Sequence, residues 1–218
     1  MRAALFDFDG TVADTKKSIY ESLRFTALHC LGRELEPEDV KDLYGLPLSD
    51  TMQRLCPERW QELVKTYLEH NLSTFPFYAT LFPGITDTLS TLKAQGLLLG
   101  LVTNKRREST GMALALFGIE DFFDAVVCAE DVLHHKPHPE AIKLALNRLG
   151  CKPQEAVIVG DSPYDVLAGR SAGVTTIAAL WGQFEPGKVL AAGPDFACNS
   201  VRELRQLLEM LCSRDLKQ

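Results

Sequence analysis

The amino-acid sequence predicts an α/β protein with a Rossmann-like parallel sheet, helices on both faces and a small inserted helical module. After residue 83, short apolar runs alternate regularly with helical patterns. Such alternation is typical of parallel strands joined by right-handed crossovers. Residues 15–80 show helical patterns and no β-rich run. We therefore expect a core formed by residues 1–14 and 82–218, with residues 15–81 inserted as a helical cap.

Most of the predicted strands of the core are short apolar runs, and several of the helices end at a glycine. The run 97–102 is apolar throughout, as expected for a strand buried on both faces. Glycine, the preferred residue just beyond a helix, follows the helical patterns that end at residues 95, 117, 149 and 172. In chain order the sequence predicts strands at 3–6, 97–102, 125–128, 156–159, 174–178 and 196–197, and helices at 85–95, 107–117, 139–149, 164–172 and 201–211.

The inserted module is predicted to consist of helices. The sequence predicts them at 16–31, from residue 36, at 50–55 with Ser49 as N-cap, and at 58–72 beginning after Pro57. Phe75-Pro76-Phe77 and Phe82-Pro83-Gly84 would mark the return of the chain to the core. A module inserted here lies over the carboxyl end of the first strand, where it can exclude water and select substrates.

The composition is that of a globular protein without a basic field for nucleic acid. Hydrophobic residues make up 46% of the 218 residues, charged residues 24%, and the net charge is −6. The longest apolar run is too short to cross a bilayer, and Asp7 and Asp9 interrupt the N-terminal apolar stretch, which argues against a signal peptide. The six cysteines include no Cys-x-x-Cys pair. We therefore expect free thiols and a cytoplasmic location.

Asp7-Phe8-Asp9-Gly10-Thr11, at the end of the first strand, is the strongest indication of chemistry. Side chains alternate along a strand, so both carboxylates would lie on one side and emerge where open α/β sheets bind ligands. Gly10 lets backbone N–H groups approach an anion. One carboxylate can attack as a nucleophile while the second carries a proton. Asp-Gly also occurs in plain turns.

Two later motifs supply groups that suit a phosphate. Thr103 and Asn104 end the strand 97–102, where a hydroxyl and the next backbone N–H fit a phosphate oxygen, although either residue could simply cap the following helix. Lys136 stands in His134-His135-Lys136-Pro137-His138-Pro139-Glu140 and can offer a compact positive charge. We do not expect the three histidines to bind a metal, because the neighbouring lysine repels a cation and the loop lacks helical ligand spacing.

The fourth motif, Gly160-Asp161-Ser162-Pro163-Tyr164-Asp165, again ends an apolar strand in acidic residues. Asp161 could be the N-cap of the next helix, and Asp165 a charge in its first turn. A second acidic cluster at the carboxyl end of a strand is also what an oxygen-liganded Mg²⁺ requires.

In this order, the four motifs resemble those of the haloacid dehalogenase superfamily over essentially the whole chain. The resemblance rests on residues 7–11, Thr103, Lys136 with its Pro-x-Pro-Glu, and Gly-Asp-x-x-x-Asp at 160–165. A helical cap after the first strand is similar to the branch with phosphoglycolate phosphatases, β-phosphoglucomutases, phosphonatases and a bacterial inorganic pyrophosphatase. The resemblance implies a Mg²⁺-dependent phosphatase that hydrolyses a small phosphorylated metabolite through an aspartyl-phosphate and is similar to phosphoglycolate phosphatases.

The resemblance also implies a role for each matching residue. Asp7 would attack phosphorus, and Asp9 would protonate the leaving oxygen and then activate water. Mg²⁺ would be held by Asp7, the backbone carbonyl of Asp9 and Asp161, with Asp165 supporting the metal's waters. The phosphoryl group would be held by Gly10, Thr103, Asn104 and Lys136. Gly45, in the cap turn Tyr44-Gly45-Leu46-Pro47, would shape the choice of substrate.

Several alternatives remain. An inorganic pyrophosphatase and a β-phosphoglucomutase-type phosphotransferase stay open, whereas Asp9 argues against a dehalogenase, whose halide leaves without protonation. A phosphonatase would need a cap lysine in apolar surroundings, and no cap lysine of this sequence stands in such surroundings. A binding module that kept only the fold would lack a catalytic residue, and none of those named above is missing. Cations that could stand near the entrance are Lys16, Lys17, Arg24 and Arg106. The physiological substrate and the choice between monomer and homodimer stay open.

Overall fold

A six-stranded parallel sheet forms the centre of the protein. The structure, a computed structural model, describes residues 1–214. The strands are β1 Ala3–Phe6, β2 Ala13–Asp14, β3 Thr80–Leu81, β4 Leu98–Val102, β5 Ala125–Val127, β6 Ala156–Gly160, β7 Thr175–Ala179 and β8 Phe196–Cys198. The helices are α1 Lys16–Leu31, α2 Pro37–Val40, α3 Leu48–Leu55, α4 Trp60–Tyr78, α5 Ile85–Ala94, α6 Arg107–Phe117, α7 Glu140–Leu149, α8 Pro163–Ala172, α9 Pro186–Ala191 and α10 Val201–Arg214.

The order of the strands places β1 where ligands bind in sheets of this kind. The sheet runs β5-β4-β1-β6-β7-β8, and all its pairs are parallel. After β1 the chain builds the sheet in one direction through β4 and β5, and then crosses back to build the other half from β6. The carboxyl end of β1 therefore lies at the point where the strand order reverses, at which open α/β sheets bind ligands.

Helices cover both faces of the sheet, which confirms the predicted fold class. Alternation along β1 sends Phe6 into one apolar cluster, with Leu89 and Leu204 from α5 and α10, and Leu5 into a second, with Ile142 from α7. A strand that is buried on both faces reads as a continuous apolar run in the sequence.

Four helices, α1 to α4, lie between β2 and β3 and share an apolar cluster of their own. Leu23, Val40, Met52 and Leu63 are buried there. The two chain connections to these helices run side by side as the short antiparallel pair β2–β3. This arrangement agrees with the expected insertion, whose bounds at 15–81 stay a prediction.

The structure corrects two predicted helices. The sequence predicted that α4 would end at residue 72, but the helix continues through Pro76 to Tyr78. Phe75 is fully buried in the larger core cluster and stacks at a tilt on Phe117, at 6.0 Å between ring centroids. This packing outweighs the backbone hydrogen bond that Pro76 removes. Helix α3 begins at Leu48 with Pro47 as N-cap, so Ser49 lies inside the helix.

The short strands β2 and β3 and the six-residue helix α9 were not predicted, because two to six residues are too few to show a hydrophobic period. Over residues 1–214, no helix combines the length and apolar character that a membrane crossing needs.

Candidate active site

Three neighbouring strands end side by side, and each is followed by a polar side chain. Asp7 follows β1, Thr103 follows β4, and Asp161 follows β6. Since β1 pairs with both β4 and β6, these residues meet at one edge of the sheet. All three are buried, with relative exposures of 7%, 3% and 2%. The structure thus brings together predicted residues that lie far apart in the sequence.

Lys136, on the loop before α7, is surrounded by oxygen atoms. Its Nζ donates hydrogen bonds to Asp7 Oδ1 at 2.7 Å, to Asp165 Oδ1 at 2.6 Å and to the carbonyl of Val102 at 2.9 Å. Burial lowers the pKa of this ammonium, but Asp165 and Asp7 outweigh burial and raise it. Lys136 therefore stays charged and holds two carboxylates in place.

One ammonium does not balance the acidic groups at this edge. Oxygen atoms of Asp7, Asp161 and Asp165 all lie within 4.8 Å of one another. Burial raises the pKa of Asp7 to about 7 although Lys136 opposes it. Burial and the nearby Asp7 raise the pKa of Asp161 well above its ordinary value. The raised pKa values show that too little positive charge stands near these buried carboxylates to stabilise their ionised forms. Their oxygen atoms suit a hard cation such as Mg²⁺.

Asp165 is placed by the start of α8. Its Oδ2 accepts hydrogen bonds from the backbone N–H and the hydroxyl of Ser162, at 3.1 and 2.6 Å, while the Ser162 hydroxyl accepts the N–H of Asp165 at 3.3 Å. This is a capping box, and the N-cap of α8 is therefore Ser162 and not Asp161, for which the sequence had also allowed that role. Asp161 is left free of the helix, and its Oδ2 accepts the N–H of Gln183 at 2.6 Å.

Gly10 allows the loop after β1 to lie directly against Asp161. Its φ is +85°, in the left-handed region, and an added Cβ would stand 2.1 Å from Asp161 Oδ2. Any side chain there would displace the carboxylate. The close approach explains why glycine follows Asp9 in this motif.

Asp9 is held by a residue to which the sequence did not point, Lys105. The ammonium Nζ of Lys105 lies 3.1 Å from Asp9 Oδ1 and 3.4 Å from Oδ2. The same Nζ stands 5.3 Å from the ring centroid of Phe75, which belongs to α4 of the inserted module. Lys105 directly follows the predicted Thr103 and Asn104, but its partner lies 96 residues earlier in the chain, so no local pattern indicates the pair.

Asn104 links the core to the cap turn. Its side-chain amide donates to the carbonyl of Gly45 at 2.8 Å, and its Oδ1 accepts the backbone N–H of Lys136 at 3.2 Å. Neither Thr103 nor Asn104 caps α6, whose N-cap is Arg106. Gly45 itself has a φ of +75°, and an added Cβ would meet the Tyr164 ring at 3.1 Å. The predicted specificity residue therefore lies against the predicted phosphate-binding residues.

A pocket opens over these residues, between a polar wall from the core and a mostly apolar wall from α1 to α4. The core wall includes Asp7, Asp9, Thr103, Lys105, Arg106 and Lys136. The opposite wall includes Ile19, Leu23, Leu46, Tyr67 and Leu68. Of the four cations expected near the entrance, Arg106 lines this pocket in the described part of the chain and the other three do not.

Trp181 packs beside the sheet. Its ring meets Phe82 edge-on at 6.4 Å between centroids, and its indole N–H donates to the carbonyl of Thr11 at 3.2 Å. It is not part of the pocket wall.

Comparison with known proteins places these features in a family. A family model described as haloacid dehalogenase-like hydrolase matches residues 4–179. The pyrophosphatase PpaX of Bacillus velezensis is 39% identical over 202 residues, which cover 93% of this chain and 94% of that protein. A Bacteroides fragilis structure assigned to the haloacid dehalogenase-like hydrolases matches with a TM-score of 0.86 at 28% identity, covering 93% of this chain and 98% of that one. A phosphoglycolate phosphatase predicted in Haemophilus somnus 129PT shares the fold, with a TM-score of 0.89, 21% identity and coverage of 95% and 98%.

Proposed function

The chain belongs to the haloacid dehalogenase-like hydrolases, and we propose that it is a Mg²⁺-dependent phosphatase that acts through an aspartyl-phosphate on a small phosphorylated substrate. One observation carries the proposal: Asp7, Asp161 and Lys136 are buried together at the switch point of the sheet, at the base of a pocket. A nucleophile, an acidic cation site and a fixed positive charge in one place are what phosphoryl transfer requires.

In this mechanism the two carboxylates of the first motif have different tasks. A carboxylate oxygen of Asp7 attacks phosphorus, and the bond to the leaving oxygen breaks as Asp9 gives that oxygen a proton. Asp9 then accepts a proton from a water that attacks the aspartyl-phosphate, which releases phosphate and restores Asp7. Lys105 fixes the position of Asp9. Thr103, the N–H of Asn104, the Gly10 region and Lys136 offer positions for the phosphoryl oxygens.

The residues present fit the expected metal ion. Asp7, the backbone carbonyl of Asp9 and Asp161 would hold Mg²⁺, while Asp165, which accepts a hydrogen bond from Lys136, would support the waters of the metal. When bound, Mg²⁺ supplies positive charge that keeps Asp7 ionised and offsets the charge of the phosphoryl group.

Pyrophosphate is the first substrate to test. The pyrophosphatase of Bacillus velezensis matches nearly the full chain at 39% identity. In addition, Lys105 and Arg106 line the same pocket as the predicted phosphate-binding groups, and their positive charges can neutralise a leaving phosphate. An organic phosphate ester, phosphoglycolate or a sugar phosphate, is the second candidate, because Ile19, Leu46 and Tyr67 on the opposite wall offer apolar surface to a carbon-containing leaving group.

The test is phosphate release by the purified protein with and without Mg²⁺, from pyrophosphate, phosphoglycolate, a sugar 1-phosphate and para-nitrophenyl phosphate. We expect release that requires Mg²⁺ and that Asp7→Asn abolishes while the protein stays folded. The matched control is Asp121→Asn, the same change at an exposed position. Normal turnover by Asp7→Asn would exclude Asp7 as nucleophile, and no release from any substrate would exclude the phosphatase. Isomerisation of the sugar phosphate without release would favour the phosphotransferase.

A further inference from the structure

The loop that carries Lys136 presents a second group of metal-binding side chains on its outer surface. Ligand atoms of His134, His138 and Glu140 all lie within 4.8 Å of one another. His134 Nδ1 is 2.8 Å from Glu140 Oε2, and the two imidazole rings lie 4.7 Å apart between centroids. Both histidines are more than half exposed, so an ion can reach them from solvent.

Backbone hydrogen bonds hold the carboxylate of this group in place. Glu140 Oε1 accepts the N–H of Leu133 at 2.9 Å, and Oε2 accepts the N–H of His134 at 3.1 Å. These bonds fix the orientation of Glu140 toward the histidines, as hydrogen bonds to ligating carboxylates do in metal sites.

The structure removes the two objections that the sequence raised against a metal on this loop. The ammonium of Lys136 faces inward, is 3% exposed, and is paired with Asp7 and Asp165, so its charge is already balanced away from the histidines. Helical spacing is also unnecessary, because the turn before α7 brings residues 134, 138 and 140 together.

The distances are within about 0.5 Å of those that a transition metal with three protein ligands requires. Bonds of about 2.0–2.1 Å in tetrahedral geometry require ligand atoms about 3.3 Å apart. His134 Nδ1 and Glu140 Oε2 are closer than this, at 2.8 Å, and His138 Nδ1 is 3.8 Å from Glu140 Oε2. In the structure His134 Nδ1 and Glu140 Oε2 share a hydrogen bond, and His138 Nδ1 accepts the N–H of Glu140 at 3.3 Å. Rotation of these exposed side chains, with a change of about 0.5 Å in each distance, would replace both hydrogen bonds with bonds to the ion, and water would be the fourth ligand.

We propose that His134, His138 and Glu140 form a second metal site, which binds a divalent transition metal of the Zn²⁺, Ni²⁺ or Cu²⁺ class. Imidazole ligands suit these ions, whereas Mg²⁺ takes oxygen ligands. The site is therefore chemically distinct from the acidic cluster at Asp7 and Asp161, and it does not depend on the proposed phosphatase activity.

The test is calorimetric titration of the reduced protein with Zn²⁺ in excess Mg²⁺. We expect a binding event with one ion per chain that His138→Ala weakens by about tenfold or more. The matched control is His135→Ala, because the His135 imidazole bonds to the carbonyl of Ala129 at 3.1 Å instead of joining the group; it should bind Zn²⁺ as the wild type does. Binding that is unchanged in His138→Ala, or equally lost in both variants, would overturn the proposal.

A second measurement identifies the ligands directly. Paramagnetic Ni²⁺, added below one equivalent, should broaden the imidazole proton signals of His134 and His138 first. The signals of His29 and His70, which lie in α1 and α4, should stay sharp. Equal broadening of all histidine signals, or none, would contradict the assignment.

Discussion

Lys136 is the residue on which the charge balance of the site depends. It donates to Asp7 and Asp165, both buried, from a side chain that is itself 3% exposed. Removing one partner of a buried ion pair leaves an uncompensated charge and costs about 3–5 kcal/mol. We therefore expect Lys136→Met to lower the unfolding free energy by about that amount in chemical denaturation and to abolish turnover.

The control for this prediction is Lys143→Met, the same change at an exposed position on α7. It should change the unfolding free energy by no more than about 0.5 kcal/mol. Equal stability of Lys136→Met and the wild type would show that the two carboxylates do not need this ammonium.

Substitution of Arg106 tests whether the protein recognises pyrophosphate through this side chain. Arg106 lines the pocket, and its Nε donates to Glu130 Oε1 at 3.0 Å. If a leaving phosphate lies near this guanidinium, Arg106→Ala should raise KM for pyrophosphate about tenfold or more and change KM for para-nitrophenyl phosphate little. The control is Arg33→Ala, at an exposed arginine of the inserted module whose guanidinium lies 3.9 Å from Asp39 Oδ1. Equal changes in KM for the two substrates would show that Arg106 does not recognise the leaving phosphate.

Residue patterns in the sequence indicated the groups that end strands but not the groups that support them. Asp7, Thr103 and Asp161 follow apolar runs, and parallel pairing brings such positions to one edge. The sequence did not indicate the roles of Lys105 and Ser162, because these roles depend on how the folded chain places their partners. The partner of Lys105 comes from a distant part of the chain, and the hydroxyl of Ser162 competes with the neighbouring Asp161 for the N-cap position.

At the scale of elements, α4 shows where local pattern loses to tertiary packing. Proline inside a helix predicts a break, yet α4 runs through Pro76 because Phe75 is fully buried in the core while Phe77 is 81% exposed. Elements that end at glycine were predicted closely: α1 and α6 have the expected bounds. Left-handed glycine at the end of a helix is a local signal, whereas the burial of Phe75 depends on Phe117 from another helix.

The extended end of α4 predicts opposite results for two phenylalanines that lie two residues apart. Phe75→Ala should lower the unfolding free energy by about 3–5 kcal/mol, because it leaves a cavity in the core. Phe77→Ala should change it by no more than about 0.5 kcal/mol, because the ring is exposed. Denaturant titration of both variants checks this. Similar losses in the two variants would mean that residues 73–78 do not pack as this helix.

At the scale of the whole molecule, the parallel fold was predictable because most strands are short apolar runs that alternate with helical patterns, several of which end at glycine. The way in which the inserted helices and the core share one pocket was not. The pocket is lined by Lys105 and Arg106 from the core and by Leu46 and Tyr67 from the insertion. No sequence pattern within either segment indicates which residues of the other segment face it across the pocket.

Bringing acidic groups together at the switch point makes stability depend on pH and metal. Burial raises the pKa of Asp7 from 3.8 to about 7 and raises that of Asp161 as well. Between pH 4 and 7 the folded protein therefore binds more protons than the unfolded chain, and in the absence of metal its stability should fall as pH rises through this window. Lys136, whose pKa is raised, stays charged throughout and adds no slope.

Mg²⁺ competes with these protons for the carboxylates, so it should bind more tightly when they are ionised. We expect Mg²⁺ to raise Tm at both pH 6 and pH 8, with the larger increase at pH 8, because ligands that bind the folded state stabilise it according to their affinity. Thermal melts in the presence of Mg²⁺ or a chelator measure the difference. Asp161→Asn should abolish most of the increase, whereas Asp121→Asn should keep it. An increase in Tm that is equal at the two pH values, or that survives in Asp161→Asn, would place the metal away from the acidic groups at this edge of the sheet.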